Sequence, residues 1–302
     1  MSVASARTGA VARTRAPSRI RWRRVVLHLF LIAVALLWLF PLGWAVFASF
    51  RSYADTTVHG FLSWPQSLSL DNYVNAWDRV NLPNYFLNTA LIVVPATILV
   101  LLLASMMAFA VSRFSWRFNL ALLLLFTAAN LLPPQVIITP LFRLYLVLPL
   151  PAFFNDRGLF YDSYIGIIVI HIAFQLGFCT FVLSNYMRTL PRELNESAVV
   201  DGASVWRIYW QVILPLTRPA LAALATLEIT WQYNDFFWAL ILMRTPTKYP
   251  ITSALNNLQG QFFTDYNLLA AGSVLVALPT ILVYVLLQKQ FVRGLTLGST
   301  KG

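Results

Sequence analysis

The sequence predicts an all-α polytopic membrane protein with about six transmembrane helices and a structured cytoplasmic loop. Three observations carry this. Hydrophobic residues make up 59% of the 302 residues and charged residues only 11%, against about 45–50% and about 25% in soluble domains. The apolar residues gather in runs long enough to cross a lipid core, which takes about 20 residues. The charge is lopsided, with 22 Lys and Arg against 11 Asp and Glu, a formal net charge of +11. Such a composition excludes a water-soluble enzyme and a disordered chain. The single cysteine, Cys179, excludes a disulfide-stapled secreted domain. In so hydrophobic a chain, the excess positive charge fits anionic lipid headgroups rather than nucleic acid.

The segment 1–24 carries Arg7, Arg13, Arg15, Arg19, Arg21, Arg23 and Arg24 and no acid. It lacks helical apolar periodicity and is expected to be a disordered basic tail. Its composition also fits an organelle transit peptide, but a topology anchor suits the apolar run that follows. That run, 25–50, is longer than the roughly 7–15 residues of a signal-peptide core. It therefore reads as a retained span, not as a leader cleaved near Ala48. Further spans are expected at 86–111, 120–148, 164–186, 219–243 and 268–288. The third contains Pro133, Pro134 and Pro140 and should be kinked or broken, with its open backbone facing protein or water. Together these spans make a transmembrane domain over 25–290, followed by a C-terminal tail over 291–302.

Charge orients the spans. Sixteen Lys and Arg fall in the N-terminal tail, the second and fourth loops and the C-terminal tail, against five in the other loops: Arg51, Arg79, Arg157, Arg244 and Lys248. Positive loops stay inside, so both termini are expected to be cytoplasmic.

The fourth loop, 188–218, is long for a connector and reads as structure. Pro191 suits a first helical position, with Glu193 in that first turn, where the helix dipole favours an acid. Gly202 follows as a C-terminal cap would, and Ser204 can cap a second helix. There Val205, Ile208, Tyr209 and Val212 share one apolar face at i, i+3, i+4 and i+7. Pro215 and Pro219 bound the stretch. The expected form is two short helices joined by a tight turn, offering a cytoplasmic docking surface.

Glu196-Ser197-Ala198, then three residues to Gly202, nine to Val212, and Leu214-Pro215 resemble the signature loop of bacterial ABC-importer permeases. That signature is Glu-Ala-Ala, three residues, Gly, nine residues, Ile, one residue, Leu-Pro. The departures, Ser197 and Val212, are conservative, and Asp201 and Ala203 also look like this family. Leu70-Asp71-Asn72-Tyr73 with Trp77, Asn88-Thr89, Pro133-Pro134-Gln135, Trp231, Asn234-Asp235-Phe236 and Tyr249-Pro250-Ile251 are similar to its carbohydrate branch. The ending from Phe291-Val292-Arg293-Gly294 through Gly298 to Lys301-Gly302 resembles the shorter, six-span permease of maltose-type importers.

The resemblance implies a sugar or oligosaccharide permease in the bacterial cytoplasmic membrane. Its implied partners are a second permease, an ATPase dimer and an extracytoplasmic solute-binding protein. Glu196, Ala198, Asp201, Gly202, Ala203, Leu214 and Pro215 would couple the chain to the ATPase. Gly294, Gly298 and Lys301 would lie in a tail that contacts the ATPase. The chain has no Gly-x-x-x-x-Gly-Lys-Ser/Thr loop with which to hold a nucleotide. ATP and magnesium would therefore belong to the ATPase, with no cofactor in this chain, and the chain itself would not be an enzyme.

Intramembrane charge is costly and faces a cavity or a partner, which singles out Glu228, Asp235 and Arg143. Asp235 with Trp231 and Asn234 could line a sugar path or serve a helix interface. Glu228 could hydrogen-bond between helices, and Arg143 sits where it can snorkel. His28, His59 and His171 are scattered and form no metal-ligand set, and Cys179 reads as a small packing residue. Gly-x-x-x-Gly signals are not evident within the expected spans. A secondary carrier is the competing class, but it would show repeat symmetry and paired broken helices. A membrane enzyme would need a catalytic constellation that so few acids and histidines do not supply. Within the importer reading, a polyol or glycerol-phosphate permease is the other substrate class.

Overall fold

The computed structural model describes residues 22–79, 81–114, 117–131, 133–255 and 264–296. Among them there is no β-strand, and thirteen α-helices follow in chain order. The chain divides into two compact units, Met1–Ala45 and Val46–Gly302. The first contains most of α1 (Trp22–Ser49), a 28-residue apolar helix interrupted only by Pro41. Arg23 and Arg24 belong to its first turn rather than to a separate tail.

In the second unit, α2 (Tyr53–His59) starts at Ser52, whose hydroxyl accepts the Asp55 amide, an N-cap that satisfies one of the helix's orphan donors. α3 (Asp71–Arg79) leads into α4 (Leu82–Arg113), 32 residues long. At about 1.5 Å per residue, α4 reaches roughly 48 Å, more than the roughly 30 Å lipid core. The expected third span is broken, as its prolines require. It comprises α5 (Asn119–Leu131), a 3₁₀ turn over Pro134–Ile137 and α6 (Ile138–Val147). Next come α7 (Tyr164–Thr189), α8 (Glu193–Val200) and α9 (Val205–Arg207). A π-helical turn over Ile208–Ile213 carries α9 directly into α10 (Leu214–Tyr233). After a break come α11 (Phe237–Leu242), α12 (Ile251–Ala254) and α13 (Tyr266–Thr296). Five of the described helices are long and apolar enough to cross a membrane, and Pro134–Val147 is a shorter apolar helix. The expected third span, the broken pair α5 and α6, is the one that does not appear among these five.

α4 and α7 run parallel and pack along their length. Ile92, Ala96, Val100, Ala104 and Ala108 of α4 are all buried. Their four-residue spacing makes one stripe of small and branched side chains, which lets helices approach closely in lipid. Alanine rather than glycine supplies the small residues of this stripe. One core joins Val100, Ala104 and Ala108 of this stripe to Cys179, Leu183 and Met187 of α7 and to Ile208, Tyr209 and Ile213. A second core, at the other end of α4, joins Ile92 and Ala96 to Tyr145, Ile167 and Trp238.

That far end is pinned by polar side chains. Asn88 Nδ2 donates to the carbonyls of Thr247 (2.8 Å) and Tyr249 (3.0 Å), and Thr89 Oγ1 accepts the Ile251 amide at 2.8 Å. Two sequence patches about 160 residues apart in the chain thus meet in one joint. Asp162 holds the same loop, accepting the amides of Arg244 (2.8 Å) and Thr245 (2.9 Å) and the Thr245 hydroxyl (2.7 Å). Arg51, counted above as a loop charge, is instead 1% exposed. Its guanidinium donates to Asp55 (3.0 Å), to the Phe61 carbonyl (3.1 Å) and to Ser63 Oγ (2.9 Å). Burial alone would raise the Asp55 carboxyl, but Arg51 overrides it and holds it below its ordinary value.

Candidate functional site

The loop after α7 takes its shape from short-range rules. Its first helix, α8, begins at Glu193, so Pro191 lies just before the helix rather than at its first position. Glu193 and Glu196 occupy the first turn, where the dipole favours acids. The helix closes at Gly202, whose φ of 74° is left-handed. The Gly202 amide donates to the Val199 carbonyl (3.0 Å) and the Ala203 amide to the Ala198 carbonyl (2.9 Å). This is the Schellman pairing that satisfies the last carbonyls of a helix. Ala198 and Ala203, the two residues this cap joins, are each partly buried against the α4–α7 core. Ser204 then caps the next helix by accepting the Arg207 amide at 3.3 Å.

The second helix departs from expectation. It does not stop at Pro215 but runs unbroken from Val205 to Tyr233. The π turn makes this possible, since the Leu214 amide bonds back to Tyr209, five residues earlier. A proline removes one rung of the ladder, and the π turn is a single-turn bulge inserted into the α-helix just before it. Of the expected apolar face, Ile208 and Tyr209 are buried, while Val205 is exposed. Leu214 and Pro215 are half-buried, and Leu214 packs on the core.

The projecting surface contains Glu196, Asp201 and Gly202, all exposed. Beside them Val199, Val200, Val205, Trp206 and Trp210 are exposed as well. Exposed apolar and acidic side chains thus stand side by side in sequence around the Gly202 turn. Gly294 lies within α13, whereas Gly298 and Lys301 fall outside the described residues.

The fifth span breaks between Tyr233 and Phe237, where Asn234 and Asp235 sit. Trp231 and Asn234 are exposed. The Asn234 amide is spent on the Thr230 carbonyl at 2.8 Å, and Trp231 packs on Phe178 with ring centroids 5.4 Å apart. Asp235 turns inward instead: its Oδ2 lies 3.8 Å from His171 Nε2 and has no hydrogen-bond partner of its own, while the carboxyl faces the backbone amides of Phe237, Trp238 and Ala239. The structure thus does not hydrogen-bond Trp231, Asn234 and Asp235 into one cluster. Instead it brings His171, which the sequence left as a scattered histidine, to Asp235.

A second polar group lies deeper. Glu228 is fully buried and accepts from Cys179 Sγ (3.2 Å) and from Gln232 Nε2 (3.0 Å). Gln232 Oε1 accepts in turn from Thr97 Oγ1 at 3.3 Å. Cys179 is therefore a hydrogen-bond donor and not only a packing residue, and the chain of bonds ties α4, α7 and α10 together.

Comparison with known proteins decides what carries this architecture. The family model for the inner membrane component of binding-protein-dependent transport systems matches residues 100–297, a stretch that includes the whole loop. The chain belongs to that family. It is 31% identical over 291 residues to the diacetylchitobiose uptake system permease protein NgcG of Streptomyces coelicolor, covering 96% of this chain and 92% of that one. It is 28% identical over 282 residues to the arabinooligosaccharides transport system permease protein AraQ of Bacillus subtilis, covering 92% and 96%. In fold it is similar to a chain of a bacterial ABC transporter involved in the import of alginate, with a TM-score of 0.75 at 24% identity, covering 92% of this chain and all of that one. The protein is a multi-pass membrane permease subunit of an ABC importer, a transport component and not an enzyme.

Proposed function

We propose that this permease is the shorter of two different membrane subunits in an importer of a sugar or oligosaccharide. The rigid turn at Gly202 carries the reading. It presents Glu196, Asp201 and an exposed apolar cluster as a knob for a separate ATPase. In this reading the α8–α9 turn, the N-terminus and the C-terminal tail are cytoplasmic, following the charge bias of the loops. ATP and magnesium sit on the ATPase dimer, which closes and draws the knobs of the two permeases together. The spans then pass from inward- to outward-facing while an extracytoplasmic binding protein delivers its ligand. The carbohydrate assignment is supported by the substrates that NgcG and AraQ are named for.

Affinity purification of the chain from solubilised membranes of its native host tests this. Mass spectrometry is expected to recover an ATP-binding-cassette protein and a second permease. The ligand of the co-encoded binding protein, measured by calorimetry, should be a saccharide. A polyol or glycerol-phosphate ligand would overturn the substrate class alone. Transport by the chain by itself in proteoliposomes without ATP would overturn the whole reading.

A further inference from the structure

The loop is joined covalently to α7 and α10 but not to α4, so α4 can follow the loop only through side chains. Three residues of α4 make that connection, and they stand four apart: Ser105, Phe109 and Arg113. Residues at i, i+4 and i+8 lie along one helix face. Ser105 Oγ is 2.6 Å from the Tyr209 hydroxyl and is itself placed to donate to the Leu102 carbonyl at 2.8 Å, so Tyr209 donates to Ser105. The Phe109 ring lies against that of Tyr209, with centroids 5.4 Å apart. Arg113 Nη2 donates to the Met187 carbonyl at 3.0 Å, and Nη1 to the Leu190 carbonyl at 3.4 Å. Its charge thus sits at the C-terminal ends of both α4 and α7, where the helix dipoles favour a cation.

The loop is therefore bolted to α4 at both its ends. Arg113 holds it where it leaves α7, and Tyr209 holds it where it becomes the fifth span. The same α4 carries Thr97, bonded to Gln232, and Asn88 and Thr89, bonded to the loop after α11. A displacement of the knob passed to α4 reaches the far end of the molecule through these bonds. We propose that Ser105, Phe109 and Arg113 form a transmission clamp, with Arg113 and Tyr209 as positioning residues that make α4 move with the coupling loop. This rests on the ATPase-docking reading above.

The test is made on the complete importer in proteoliposomes, with its own ATPase, second permease and binding protein. Tyr209→Phe, Arg113→Gln and the double variant are compared with the unmodified chain for assembly, ATP turnover and ligand transported per ATP. The double variant is expected to assemble and to hydrolyse ATP. Transport per ATP should fall about fivefold or more, the range in which coupling between sites operates. Arg113→Lys should restore part of the loss in the single variant, because an ammonium still reaches one carbonyl. An unchanged transport-to-ATP ratio in the double variant would overturn the proposal. So would loss of assembly in every variant, which would make the clamp structural only. Failure of the unmodified chain to assemble with an ATPase would instead overturn the functional reading.

Discussion

The Ala203 amide donates to the Ala198 carbonyl at 2.9 Å, and this bond fixes the shape of the turn between α8 and α9. It can form only if Gly202 adopts its left-handed φ of 74°. A Cβ at Gly202 would meet nothing within 4 Å, so any penalty there is conformational rather than steric. Gly202→Ala is predicted to cost about 1 kcal/mol. Gly202→Asn should cost less, since asparagine tolerates this region, and Gly202→Val more. Thermal melting of the detergent-solubilised chain checks the ranking. Equal melting temperatures for Ala, Asn and Val variants would refute the account.

Gly166 poses the opposite problem. Its backbone is ordinary helix, but a Cβ there would collide with the Phe160 carbonyl and come within 3.0 Å of Tyr145 Cε1. The Ser163 hydroxyl caps α7 in the same spot by accepting the Gly166 amide at 2.9 Å. Gly166→Ala should therefore destabilise by about 1–3 kcal/mol, as overpacking does. Gly43 is the control, because a Cβ there meets nothing within 4 Å. Gly43→Ala should be neutral or stabilising in the same melting assay.

The spans and the loop cap were legible because their signals are local. Length and hydropathy mark a span, and Gly202 and Ser204 are cap residues wherever they stand. What the sequence hid depends on partners far away in the chain. Arg51 looked like a surface charge because nothing local shows that Asp55, Phe61 and Ser63 will enclose it. Pro215 looked like a boundary because a π turn has no sequence signal of its own. Trp231, Asn234 and Asp235 form one group of path or interface candidates in the sequence because they are neighbours there. The break after Tyr233 sends them different ways, and His171 is matched to Asp235 by the packing of α7 alone. The four-residue stripe on α4 was readable in principle, had alanine been admitted beside glycine.

Asp162 should give the loop after α11 a pH dependence. Burial alone would raise its carboxyl, but the Thr245 hydroxyl, the amides of Thr245 and Arg244 and the nearby Lys248 hold it below its ordinary 3.8. Arg157 faces it too, at 3.9 Å. A group with a depressed folded pKa contributes its full stability above the ordinary value and loses it as pH falls through the depressed one. The protection factors of the Arg244 and Thr245 amides, which divide out the intrinsic rate, should thus hold steady down to about pH 4 and fall below it. Asp162→Asn keeps an oxygen that can accept both amides, so it should weaken their protection in part and equally at every pH, with no added acid transition. An acid transition that survives in the variant would assign it to another group.

The Glu228 network makes the last prediction, which concerns additivity. Glu228 accepts from both Cys179 and Gln232, and Gln232 accepts from Thr97. Removing one member of a buried set leaves the others unpaired, at about 1–3 kcal/mol for each stranded group. Glu228→Ala strands the Gln232 amide, and Gln232→Leu strands one oxygen of Glu228 and the Thr97 hydroxyl. The double variant removes donor and acceptor together. It should therefore cost less than the sum of the singles, with an interaction energy of about 0.5–3 kcal/mol. Glu228→Gln should be mild, because the new amide oxygen can still accept from Gln232. Melting temperatures of the four proteins in one detergent decide this. Strict additivity would mean that the bonds between α10 and its neighbours contribute independently, and that the three helices are not tied through Glu228 as a unit.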